Sequence, residues 1–159
     1  MSDPEAVVRA SAALALGHVG DLPEAVALQL MARLDPVVEP SAEVRANAVS
    51  ALSRAPKSDA LKKALRSALQ DADESVRTRA LAATGHAGLR DEELLTVVLS
   101  RTGAQTAKGL RLTAIGCLND LQWKRDDVVS ALERLGQDPD EDIREAAAFA
   151  LKQVQAGTP

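Results

Sequence analysis

Residues 71–85 read DADESVRTRALAATG, and this stretch decides the fold. Asp71 stands six residues before Arg77, which directly follows Val76. Ala80 and Ala83 come three and six residues after the arginine. The phrase recurs at Val8-Arg9, Val44-Arg45, Leu110-Arg111 and Ile143-Arg144, with the arginines 36, 32, 34 and 33 residues apart. Alanine stands three after each arginine: Ala12, Ala48, Ala80, Ala114 and Ala147. Six after it stand Ala15, Ala51, Ala83, Cys117 and Ala150. Asp3 and Asp138 hold the place of Asp71 in the first and last copies. Asp35 is read in that role in the second copy, with Val37, Val38, Glu39 and Pro40 lengthening the loop. Five copies in register make an internal repeat, which must be recognised before any other reading of the fold.

Offsets of −1, +3, +7 and +10 from each arginine fall on one helix face, so each phrase predicts an amphipathic helix. The pairs Asp3-Pro4, Asp35-Pro36 and Asp138-Pro139 are read as helix starts, with the aspartate as cap and proline in the first turn. Between the phrases lie second helical patterns over Pro23 to Leu34, Ser58 to Gln70, Asp91 to Arg101 and Lys124 to Leu135. Ser58 and Asp91 are expected caps, and Gly20, Pro56, Gly88 and Gly136 mark turns. The sum is nine helices in units of about 34 residues, a period at which helix pairs stack into a solenoid. The fold class expected is all-α: an α-solenoid of about 4.5 two-helix units. It forms one domain over 1–155, with a flexible tail at 156–159.

Composition agrees. The 159 residues include one tryptophan, one phenylalanine and no tyrosine, against about 30 alanines and 46% apolar residues. Alanine is the best helix former, and its small side chain lets helices approach closely without large rings to fill the core. The net charge of −4 and pI near 5.2 give no global basic footprint for nucleic acid. No apolar run approaches the ~20 residues of a membrane span. The N-terminus lacks a secretory pattern, so a cytoplasmic location is expected. A single cysteine, Cys117, allows no internal disulfide.

The pattern Asp-x-x-x-x-Val-Arg-x-x-Ala-x-x-x-Leu-Gly, matched at Asp3 to Gly17 and, with Thr84 in place of the leucine, at Asp71 to Gly85, resembles the HEAT-like repeat, particularly the variety of phycobilisome lyase subunits. Asp138 to Leu151 follows it until Lys152 replaces the glycine. The resemblance spans essentially the whole chain. It implies that the repeat arginines Arg9, Arg45, Arg77, Arg111 and Arg144 are structural, linking copies near the turns with Asp35, Asp71 and Asp138 as partners. It specifies a fold and leaves function open. The fourth copy departs from the pattern, with Gln105 in place of the acid and with Lys108, Arg111, Trp123, Lys124 and Arg125 gathered around it. Degeneration of the repeat and a partner site are both open there.

Chemistry-bearing residues are sparse. His18 and His86 stand at equivalent positions two repeats apart, which places them roughly 20 Å from one another, too far to share a metal. They are read as polar positions near helix ends. Cys117 replaces a repeat alanine and is read as a buried, inert thiol. The acids at Asp138, Asp140, Glu141 and Asp142 suit a helix first turn. No catalytic residue, cofactor or metal site is assigned, and no enzyme is expected.

The resemblance also implies that the arginine-bearing helices line a concave face. Outward offsets of +1, +2, +5 and +9 give Ala10, Ser11, Leu14 and His18, then Ala46, Asn47, Ser50 and Arg54. They continue with Thr78, Arg79, Ala82 and His86, with Leu112, Thr113, Gly116 and Asp120, and with Glu145, Phe149 and Gln153. Arg54, Arg79, His86, Leu112, Trp123, Lys124 and Phe149 are the candidate partner-binding residues. Trp123 beside basic residues has the chemistry of an interface hot spot; as a plug in the turn before the eighth helix it has the alternative reading. The first helix is apolar nearly all round, at Val7, Val8, Ala10, Ala12, Ala13, Leu14 and Leu16. Such a helix is normally covered, so a partner, a second copy or upstream repeats are expected against it.

The function expected is a non-catalytic protein–protein scaffold, taking a peptide or helix in the concave groove or associating through the first helix. The first alternative is an enzyme-associated subunit of the bilin lyase type, which the resemblance implies. The second is a HEAT-like nucleic-acid binder, opposed by the acidic pI.

Overall fold

A computed structural model describes residues 3–156 of the chain. Among them are nine helices and no strand: α1 (Ala6–Leu16), α2 (Glu24–Ala32), α3 (Ala42–Leu52), α4 (Asp59–Ala68), α5 (Glu74–His86), α6 (Glu92–Ser100), α7 (Lys108–Leu121), α8 (Asp126–Leu135) and α9 (Glu141–Ala156). Within the span read as one domain, contacts gather into two compact units, Met1–Ala87 and Gly88–Pro159. The boundary falls at a turn where Gly88 has φ +59, a left-handed conformation that disfavours any side chain. Of the expected tail, Ala156 ends α9, and 157–159 lie outside the described residues.

In the first unit the arginine-bearing helices α1, α3 and α5 pack side by side, with α2 against α3 and α4 against α5. In the second unit α7 packs on α9, with α6 against α7 and α8 against α9. The repeat alanines explain the contacts. Ala48, Ala80, Ala114 and Ala147 are fully buried, and Ala51, Ala83, Cys117 and Ala150 nearly so. Only small side chains, methyl groups and the Cys117 thiol, fill these positions between the packed helices. Ala80→Leu is expected to cost about 1–3 kcal/mol through overpacking, read as a lower urea midpoint with an unchanged m-value. The leucine stripes of the second helices fill the remaining core, at Leu61, Leu65, Leu94, Leu95, Val98, Val128, Leu132 and Leu135. Met31 of the first such stripe is only half-buried.

The first copy differs. Val8 is 46% exposed where Val44, Val76 and Ile143 are fully buried, and Ala15 is exposed where its counterparts are not. The side of α1 that in later copies meets a preceding helix is bare among the described residues.

The helix starts correct one expectation. Ser58 and Asp91 do cap α4 and α6, accepting N–H bonds from Leu61 (3.1 Å) and Leu94 (3.0 Å). The aspartates of the Asp-Pro pairs, however, are not caps. Asp3 and Asp138 accept the N–H two residues on, at Glu5 (2.8 Å) and Asp140 (3.0 Å), and so shape the turn before the helix. Asp140, inside that turn, does the capping of α9 by accepting from Asp142 (3.0 Å) and Ile143 (3.3 Å). Asp35-Pro36 starts no helix: Asp35 accepts from Val37 (2.9 Å) in an exposed turn, and α3 begins at Ala42 behind the cap Ser41.

Candidate functional site

The repeat arginines form clamps with two working edges. Arg9 donates from Nη1 to the carbonyls of Asp3 (2.7 Å) and Pro4 (2.8 Å), tying down its own turn. Its Nε and Nη2 donate to both carboxylate oxygens of Glu39 (2.7 and 2.8 Å), thirty residues on. Arg45 repeats this geometry. Its Nη1 holds the carbonyls of Glu39 and Pro40 (both 3.0 Å), and its other edge holds Asp71 through two bonds of 2.9 Å. Arg77 and Arg144 keep the carbonyl edge, on Asp71 and Ala72 (both 2.7 Å) and on Asp138 and Pro139 (2.8 and 2.9 Å). Arg111 keeps the carboxylate edge, on Asp138.

This overturns the partner assigned to Asp35. The acid six residues before Arg45 is Glu39, and Glu39-Pro40 is the counterpart of Asp3-Pro4. Glu39 is fully buried, whereas Asp35 is exposed and takes no part in the clamp.

Bidentate guanidinium–carboxylate bonds favour the ionised acid. The Arg9 guanidinium holds the Glu39 carboxyl below the usual carboxylate range, and that of Arg45 does the same for Asp71. A carboxyl lowered on folding adds stability that is complete above its unfolded value and is lost as pH falls through its folded value. Thermal stability should therefore fall below about pH 4, once the unfolded-state carboxyls begin to take protons. Asp71→Asn should flatten part of that acid limb. An acid limb unchanged in Asp71→Asn would contradict the assignment.

The fourth copy departs where the sequence does. Gln105 is exposed, and Nε of Arg111 is buried with no hydrogen bond. Lys108 instead pairs with Asp140 (2.8 Å) and Asp142 (2.6 Å) of the last copy. Arg90 donates to the carbonyls of Leu121 (3.2 Å) and Gln122 (3.1 Å) at the end of α7, where Gln122 turns left-handed at φ 44.

The candidate partner residues separate into three places. Arg79 and His86 of α5 are exposed and line one pocket of about 200 Å³ with Ser50 and Ser53 at the end of α3 and with Ala82 and Ala83. Arg79 reaches across to α3 and donates from Nη1 to the Ser50 hydroxyl (3.0 Å). Arg54 is exposed beside Ser53 and does not line the pocket. In the second unit, half-buried Trp123 lies under the Arg125 guanidinium, 5.0 Å from the ring centroid. Exposed Lys124 joins Arg125, Asp126 and Asp127 around a shallow depression of about 480 Å³. Arg125 is paired with Asp127 (3.1 Å) and with Glu92, so the charge beside the tryptophan is neutralised within the chain. Leu112 is half-buried on α7, and Phe149 is 60% exposed on α9.

Part of the expected lining is not surface. Ala10, Ala46 and Asn47 are buried, and Nδ2 of Asn47 donates to the Ala10 carbonyl (3.1 Å), joining α3 to α1. The +1 and +2 positions there face the neighbouring helix, so Asn47 is an internal tie. The two serines of the pocket differ in legibility. Ser50 follows from the +5 offset, while Ser53 lies beyond the helix end and has no counterpart in the repeat phrase. His18 is exposed and Cys117 is buried. Among the described residues no three His, Cys, Asp or Glu side chains are grouped to hold a metal, and no helix is long and apolar enough to cross a membrane.

The stacked helix pairs have known counterparts. A designed armadillo repeat protein in complex with the peptide (KR)4 shares the fold at a TM-score of 0.65 and 19% identity, over 96% of this chain and 77% of that one. An engineered protein of the Northeast Structural Genomics Consortium does so at 0.63 and 17%, over 98% of this chain and 76% of that one. No curated protein matches the chain. A single HEAT repeat matches residues 128–157. The family of HEAT repeats matches residues 29–119, more than half of the length and the region that holds the Arg45–Asp71 clamp, and the chain belongs to that family.

Proposed function

We propose that this chain is a non-catalytic interaction module of the cytoplasm that binds another protein along the outward face of α3 and α5. The observation that carries this is the pocket between those helices, which joins Arg79 and His86 to Ser50 and Ser53 in one concavity. Repeat arrays present extended binding surfaces of this kind, and the designed armadillo relative was solved with a peptide bound. The phrase from Asp71 to Gly85 favours the lyase-subunit variety of the repeat, a kinship of sequence that carries no activity with it. The test is affinity capture with the intact chain and with Arg54, Arg79 and His86 changed to glutamate. At least one captured protein should be lost with the changes. Indifference of every captured protein to them would refute the reading.

A second reading, self-association through α1, is favoured by Val7 at 65% exposure, Leu14 at 46% and the bare side at Val8. Sedimentation equilibrium would show reversible dimers abolished by Val8→Glu. A wild-type monomer across the concentration range would remove this reading.

A further inference from the structure

The pocket between α3 and α5 has the chemistry of a receptor for one acidic side chain. Among the described residues, its only fixed charge is the guanidinium of Arg79, and no acidic side chain lines it. Among the described residues, the one hydrogen bond that Arg79 makes goes to a neutral hydroxyl, that of Ser50 (3.0 Å). A guanidinium carries five N–H donors, so most of its capacity is left uncommitted at the pocket wall. Ser50 acts as a positioning residue: its hydroxyl donates to the Ala46 carbonyl (3.2 Å) and accepts from Arg79, pinning a long side chain at the mouth. The Ser53 hydroxyl is satisfied at the Ser50 carbonyl (2.8 Å) and demands nothing of a ligand.

Size and wall chemistry narrow the occupant. About 200 Å³ is below the range of drug-sized sites, about 300–1,000 Å³, and suits one side chain. The methyl groups of Ala82 and Ala83 offer an apolar wall, which suits the methylenes of a glutamate better than a bare inorganic anion. The C-terminal end of α5 carries partial negative charge that repels anions. That effect decays within the last turn, and Arg79 stands seven residues before His86, the last residue of the helix; Ser50 and Ser53 lie at the matching end of α3, where the full charge of the guanidinium held at Ser50 outweighs the partial charges.

We propose that this pocket binds the side-chain carboxylate of a glutamate in an extended acidic segment of a partner protein. The proposal rests on the reading of the α3–α5 face as an interaction surface and names its ligand class. It is the inverse of the relative solved with (KR)4, a basic peptide.

The experiment is fluorescence anisotropy of labelled octapeptides against the intact chain at low and physiological salt. The probes are a glycine–glutamate alternation, the matching glycine–phosphoserine alternation, and (KR)4. The glutamate peptide should bind, more weakly at higher salt. Arg79→Glu should weaken it at least about tenfold, and Arg79→Lys should weaken it measurably through loss of the planar fork. Lys63→Glu, an exposed change on α4, should leave it unaltered. Circular dichroism should show every variant folded. Equal or tighter binding of (KR)4, or wild-type binding of the glutamate peptide by folded Arg79→Glu, would overturn the proposal. Binding of the phosphoserine peptide alone would also overturn the carboxylate assignment, yet it would leave the interaction surface standing. The surface itself falls only if the capture experiment is indifferent to the glutamate changes.

Discussion

Asp71→Ala is expected to lower the unfolding free energy by about 3–5 kcal/mol, the range for breaking a buried ion pair by removing one partner. The side chains of Arg45 and Asp71 are only 6% and 2% exposed. Truncation strips two charge-assisted bonds from a guanidinium that stays buried. It also removes the acceptor for the Asp73 N–H, 2.9 Å from Asp71 Oδ1, and so loosens the turn that leads into α5. The carbonyls of Glu39 and Pro40 still hold one edge of Arg45, which places the loss toward the lower end of the range. Urea unfolding followed by circular dichroism measures it. A loss under about 1 kcal/mol would match an exposed pair and would contradict the clamp.

Leu52→Ala is expected to cost about 2–5 kcal/mol, since Leu52 is fully buried and its removal leaves a cavity that packed helices refill poorly. Leu16 holds the same repeat position in α1 and is only half-buried. Leu16→Ala should therefore cost clearly less than Leu52→Ala, although the two sequences around them are alike. The same unfolding measurement compares them. Equal losses would mean that the bare side of α1 is covered in solution, which would favour self-association.

That contrast marks the limit of what the sequence makes legible. The arginine spacing yields the helix count, the pairing and the small-residue core, because those follow from one period. The repeat phrase alone does not show how deeply each copy is buried, since Val8 and Val44 read alike and yet are 46% and 0% exposed. The second acid is hard to read in the sequence for a local reason. Asp35-Pro36 looks like the Asp-Pro pairs elsewhere, while the true counterpart is Glu39-Pro40. Counting six residues back from Arg45 reaches Glu39 directly, so the register held the signal and residue type obscured it. The +2 offset puts Asn47 on the surface, because an offset gives a direction on one helix and says nothing of how close the next helix lies. The pocket is partly legible: Arg79 and His86 share a face of α5 and Ser50 follows from its offset on α3, but Ser53 lies just past the end of α3. Only packing brings Ser50 within 3.0 Å of Arg79 across 29 residues of chain.

The central claim is that Arg9 and Arg45 each couple their own turn to the acid of the following copy. A double-mutant cycle on Arg45→Met and Asp71→Asn tests it most directly, with unfolding free energies measured for all four chains. The account predicts that the double variant loses less than the sum of the singles, by a coupling energy of about 1–3 kcal/mol. Losses additive to within about 0.5 kcal/mol would mean that the two residues act independently, and the clamp would not be what joins the repeats.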